Sequence, residues 1–128
     1  MTNEEVLRAV LRAFGEGIAA AQEAMRVHLT DDCAWEMAGL RTTTGSDEAA
    51  QLFSSMEAVG FSSWTVEFRT VAVVGDVAFT ERIDWLVRPD GSRLGPWPVV
   101  GVTEFRDGKI SAWREYYDSR NLEMIPSG

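Results

Sequence analysis

The sequence is poor in the residues that most often mark a site. It holds one cysteine and one histidine in 128 residues. With Cys33 alone there is no internal disulfide frame and no second thiol for a cysteine-based metal centre. Such sparing use of thiols fits a reducing compartment, and a cytoplasmic location is the expectation. No run of about 18 apolar residues exists, so no membrane-spanning helix is expected. Met1 to Glu5 offer no basic start followed by an apolar run, so no signal peptide is expected either. Positive charge is also short, with 12 Lys and Arg against 20 Asp and Glu, a net charge of −8. Phosphates would be repelled, which argues against nucleic acid as a partner.

Large side chains are plentiful. Five Trp, six Phe, two Tyr and five Met sit in a chain that is 45% hydrophobic. That is enough to fill a core and to line an apolar pocket as well. The length suits one domain over residues 1–128. Thr2 and Glu5 form a Thr-x-x-Glu capping box, and Val6, Leu7, Val10, Leu11, Phe14 and Ile18 follow at helical spacing. This predicts a helix from about Asn3 to Ala21. A shorter helix is expected over Gln22–Leu29, stopping at the turn-rich Thr30-Asp31-Asp32. Cys33–Ala38 reads as extended and Gly39–Gly45 as a loop. Ser46 is a candidate cap for a third helix that runs to Val59 and ends at Gly60. The second half changes character. Strands are expected over Trp64–Val74, Val77–Arg88, Trp97–Phe105 and Ile110–Tyr117, with turns at Gly75-Asp76, Pro89–Ser92 and Asp107-Gly108. Helices first and an antiparallel meander after them is the pattern of an α+β fold.

Three charged positions on these strands stand out. Arg82 and Asp84 are two apart and share a face, and Glu115 shares a face with Trp113 and Tyr117. Pattern alone puts Phe79, Ile83, Trp85 and Val87 inside, which leaves Arg82 and Asp84 in water. The neighbouring strand argues the other way. It is apolar on both faces, with Val100 and Val102 on one and Trp97, Val99 and Phe105 on the other. A sheet covered on both sides would force an Arg and an acid to pair. Two buried carboxyl groups around an Arg differ in protonation, so one can act as base and the other as acid. Opening a strained ring such as an epoxide needs that pair and no metal or cofactor. His28 reads as a helix-end residue and Cys33 as a small buried side chain. Asp31, Asp32, Asp47 and Glu48 read as loop and helix-start charges.

Phe79 to Asp84, Val99 to Val102 and Gly108 to Asp118 together resemble the limonene-1,2-epoxide hydrolase family. That family lies in the SnoaL-like and nuclear-transport-factor-2-like superfamily. The resemblance implies a curved mixed sheet, a cystatin-like α+β barrel, wrapped with N-terminal helices around a deep cone-shaped pocket. It implies a homodimer and a hydrophobic small-molecule substrate, with no cofactor and no metal. Asp84 falls at the family's general acid, Arg82 at the Arg between the two acids, and Glu115 where the base is usually Asp. The pocket positions correspond to Trp35, Met37, Leu86, Trp97, Val99, Trp113 and Tyr117, with Leu122 beside them. Trp35 and Met37 stand where the family has a Tyr and an Asn that hold the attacking water. Trp only donates and Met is a weak acceptor, so neither replaces that pair. The resemblance therefore implies an epoxide hydrolase, and the departure leaves an intramolecular epoxide-opening cyclase or a ketosteroid-isomerase-like isomerase open. A non-catalytic binder of hydrophobic small molecules is the third reading. The geometry of Arg82, Asp84 and Glu115 separates it from the other two, because the enzyme readings fail if these groups stand apart or face water.

Overall fold

The computed structural model describes residues 1–126. Helix α1 is Asn3–Phe14, and both capping-box bonds are made: Glu5 N–H donates to Thr2 Oγ1 at 3.1 Å, and Thr2 N–H donates to Glu5 Oε1 at 2.9 Å. Its apolar stripe is buried, ending at Phe14. Two helices form as expected, but the break between them lies at Gly15–Gly17 instead of after Ala21. Gly17 has φ +124°, which an L side chain rarely adopts, and the chain turns there into α2, Ile18–His28. Helical spacing carried across Gly15–Gly17 hid the break.

Strand β1, Leu29–Met37, is longer than expected, and the short β2, Thr43–Thr44, pairs with it inside the expected loop. Helix α3 is Gly45–Ala58. Its N-cap is Thr44 rather than Ser46, without a side-chain cap bond. Strands β3 (Ser63–Val74), β4 (Val77–Val87), β5 (Arg93–Arg106) and β6 (Lys109–Tyr116) form the expected meander, and a 3-10 turn follows over Ser119–Met124. The sheet order is β2-β1-β6-β5-β4-β3. All pairs are antiparallel except β1 with β6, so the sheet is mixed.

The six-stranded sheet curves around the helices. Phe14 of α1 and Phe53 of α3 meet Trp35, Trp64 and Trp113 from three strands, with ring centroids 4.8 Å apart for Phe14–Phe53 and 5.3 Å for Trp35–Trp113. This aromatic core fixes the inner face of the sheet. Among the described residues, no helix is long and apolar enough to cross a membrane.

Candidate active site

Strand alternation decides which groups reach the interior. On β4 the inner set is Thr80, Arg82, Asp84 and Leu86, with Arg82 and Asp84 each 1% exposed. Phe79, on the other face, is 43% exposed. The pattern reading that places Phe79 inside is thus reversed, because the helices cover the face that carries the charges. Ile83 on the outer face is nonetheless buried, so the sheet is shielded on both sides at this point.

Arg82 grips Asp84 with two donors, Nε to Oδ1 at 3.2 Å and Nη2 to Oδ2 at 2.8 Å. Strand β6 brings in Glu115, 3% exposed, whose Oε1 accepts from Arg82 Nη2 at 3.1 Å. Arg82 Nη1 lies 2.9 Å from Glu115 Oε2, a charge contact without the alignment of a hydrogen bond, so Oε2 has no hydrogen-bond partner. Nη1 also donates to Thr80 Oγ1 at 3.4 Å. Burial pushes the Glu115 carboxyl up to about 7. Arg82 opposes this by charge and hydrogen bond, and the charge on Asp84 adds to it. Burial opposes the charge on Arg82, but Glu115 and Asp84 outweigh it and hold the guanidinium protonated.

Trp64 of β3 joins the cluster, although no sequence pattern singles it out. Its Nε1 donates to Asp84 Oδ2 at 3.0 Å. Trp64 is paired with Leu86 across β3 and β4, and only that register brings its indole to Asp84. Gly101 on β5 leaves the room for all of this. A Cβ there would lie 2.8 Å from Thr80 Oγ1 and 2.9 Å from both Arg82 Nη1 and Glu115 Oε2.

Asp84 and Glu115 open onto a cavity of about 260 Å³. Its lining includes Met37, Leu86, Trp97, Val99, Tyr117 and Leu122 from the sequence reading. Leu40, Leu52, Ser55, Met56, Val59, Phe61, Trp64 and Ile125 complete it, most of them from α3 and the segments flanking it. Trp35 and Trp113, expected on the lining, are not there. Both are fully buried in the aromatic core, where Phe14 and Phe53 cover them. Burial and then the charge on Glu115 push the Tyr117 phenol up to about 12, so it faces the cavity as a neutral hydroxyl. Burial and then Asp32 push the Cys33 thiol to about 12, which keeps it from acting as a nucleophile. His28 ends α2 and does not line the cavity.

The model of the limonene-1,2-epoxide hydrolase catalytic domain matches residues 2–125. Epoxide hydrolase EphG of Mycobacterium tuberculosis is 34% identical over 96 residues, which cover 70% of this chain and 58% of that protein. The match thus spans less than two thirds of that relative's length. A solved structure of an epoxide hydrolase of the same type from M. tuberculosis superposes with a TM-score of 0.76 at 27% identity, covering 94% of this chain and 85% of that one. A nuclear-transport-factor-2-like protein of unknown function from Burkholderia pseudomallei has a TM-score of 0.78 at 15% identity over the whole of both chains, and shows the fold alone. The family model runs from the first helix through the strand that carries Glu115, and the chain belongs to the limonene-1,2-epoxide hydrolase family.

Proposed function

We propose that this protein opens a small apolar epoxide with water, by acid and base catalysis from its own carboxyl groups. The observation that carries this reading is one buried Arg82 holding both Asp84 and Glu115 at the edge of an apolar cavity. One guanidinium balances one carboxylate. The other carboxyl can keep its proton, and the site then holds a base and an acid together. The base takes a proton from water as its oxygen bonds to a ring carbon, and the acid protonates the oxygen that leaves that carbon. The cavity is smaller than the roughly 300 Å³ at which pockets for drug-sized ligands begin. Its size favours a terpene-sized epoxide over a steroid-like or polyketide-like one. A homodimer, implied by the family, belongs to the same reading.

Met37 favours a second reading. It stands opposite Glu115 in the β1–β6 register and lines the cavity, while Trp35 is sealed in the core. The two positions that hold water in the family therefore offer the cavity no good hydrogen-bonding group. A hydroxyl of the substrate itself could attack instead, which would make the protein an epoxide-opening cyclase. An isomerase would use the same pair to shuttle a proton.

Turnover of small cyclic and aryl epoxides in oxygen-18 water separates these outcomes. Hydrolysis gives a diol with one labelled oxygen. Asp84→Asn and Arg82→Ala then lower kcat/KM by at least about 100-fold. A product without label excludes hydrolysis and favours cyclisation. Tight binding of apolar molecules without turnover leaves the protein a binder.

A further inference from the structure

An attacking water needs more than a base. It has to be held so that a lone pair, and not one of its protons, faces the ring carbon. Trp35 and Met37 cannot do this, the first sealed in the core and the second without a good hydrogen-bonding atom. Polar atoms are few among the residues that line the cavity. Trp64 Nε1 is taken by Asp84 at 3.0 Å, and Trp97 Nε1 is buried with no partner. Ser55 Oγ turns back onto its own helix and donates to the Gln51 carbonyl at 3.4 Å. Beyond the two carboxyls there remains the phenol of Tyr117.

Glu115 and Tyr117 are two residues apart, and both line the cavity. The Tyr117 ring packs against both apolar clusters of the interior, the one that holds Trp113 and the one made of Phe61, Leu86, Trp97 and Val99. The ring is therefore held, yet the residue is only half-buried and water can reach it. The charge on Glu115 adds to burial in raising the phenol to about 12, while no hydrogen bond from another described residue acts on it. The hydroxyl thus keeps its proton at neutral pH and is free both to donate and to accept.

We propose that Tyr117 is a water-positioning residue, whose phenol holds the attacking water against Glu115 in place of the two groups that β1 does not supply. The inference rests on the epoxide-opening reading and deepens it. Glu115 suits the other half of the task. Its Oε1 accepts one bond, from Arg82 Nη2, and its Oε2 accepts none, so the carboxylate has capacity left for a water. Burial makes it a stronger base than an ordinary carboxylate. The groups facing it are Arg82 and Asp84 from β4, and Trp113 and Tyr117 two residues to either side. Arg82 and the Trp113 indole can only donate, so neither can accept a hydrogen from the water, whereas Tyr117 can. In the step itself, water gives one proton to Glu115 as its oxygen bonds to the ring carbon. Its other hydrogen stays bonded to the Tyr117 oxygen. The ring carbon–oxygen bond breaks, and the departing oxygen takes the Asp84 proton. The diol leaves Glu115 protonated and Asp84 ionised, and a proton returns from Glu115 to Asp84 through solvent. Tyr117 keeps its own proton throughout.

Tyr117→Phe removes one oxygen and keeps the ring among its neighbours, so it tests the role directly. A crystal structure of the free protein should show a water within about 3.2 Å of both a Glu115 oxygen and the Tyr117 oxygen. The same place in Tyr117→Phe should hold no ordered water. A wild type with no water there, a water bonded to Glu115 alone, or one that persists in the variant overturns the role. This arm needs no substrate, so a failure to turn over any epoxide sinks the epoxide reading alone. With an epoxide that is turned over, Tyr117→Phe should lose about tenfold in kcat with KM within about twofold, because the bond matters most as the water gives up its proton. An unchanged kcat, or a raised KM with kcat kept, makes Tyr117 part of the cavity wall and overturns the role.

Discussion

The smallest residue in the cluster sets its dimensions. Gly101 lies under the Arg82–Glu115 contact, and all three atoms that a Cβ would meet at 2.8–2.9 Å belong to the polar network. Thr80 has a short side chain on the adjacent strand and has little freedom to move away. Relief would come from Arg82 and Glu115, whose terminal groups would have to part. Gly101→Ala should therefore cost about 1–3 kcal/mol in denaturant unfolding, as overpacked interiors do. Its larger effect should be on kcat/KM, because the two carboxyls lose their common partner. Loss of stability with full activity would mean that the close contact of Arg82 with Glu115 is not needed. The added methylene of Glu115, relative to the Asp usual in the family, is part of the same arrangement. It brings one oxygen within 2.9 Å of Nη1 yet leaves it without an aligned hydrogen bond.

Strand β4 shows what a period of two can and cannot tell. It groups Arg82 with Asp84, but it does not say which face is inside. Hydrophobic content points the wrong way, because the outer face carries Phe79, Ile83, Trp85 and Val87. The neighbour pointed to the right face on a premise that holds only in part: β5 is apolar on both faces, yet Val100 on its outer face is 47% exposed, so cover on that side is confined to places such as Ile83. Trp64 left no such trace, because its bond to Asp84 depends on the β3–β4 register. Trp35 and Trp113 matched pocket positions in sequence, yet the aromatic core claims both rings. Helix α3 gives the sharpest correction at this scale. Ser46 looked like its cap, but the helix begins one residue earlier, at Gly45 with φ +85°. A Cβ on Gly45 would stand 2.6 Å from the Asp31 carbonyl oxygen. Gly45→Ala should lower stability by more than about 1 kcal/mol, through both backbone strain and that collision. Ser46→Ala should stay within about 0.5 kcal/mol in the same unfolding assay. Equal effects of the two would restore Ser46 as the residue that starts the helix.

At the scale of the whole molecule, the buried acid makes stability depend on pH. Glu115 has an ordinary value of 4.5, raised to about 7 in the fold by burial. Between those values the folded chain holds a proton that the unfolded chain has lost, so stability falls as pH rises through this window. The contribution is fully present below about 4.5 and gone above about 7. Glu5, Asp32, Asp90 and Asp118 work in the opposite sense. Hydrogen bonds from Thr2, Arg106, Ser92 and Arg120 respectively lower their carboxyls. Their contribution is present above the ordinary carboxylate values and fades in more acid solution, and all four lie at the surface, where solvent screens them. Their window lies below that of Glu115, so the two effects separate on the pH axis. Subtracting the melting temperature of the wild type from that of Glu115→Gln, pH by pH, isolates the buried group, because the surface acids cancel. The difference should climb from about pH 5 to about pH 8, as the wild type is forced to ionise a carboxyl that shares its one cation with Asp84. A flat difference would mean that Glu115 meets no such penalty in the fold. Arg82 would then be balancing two carboxylates at neutral pH, and neither would have a proton to give.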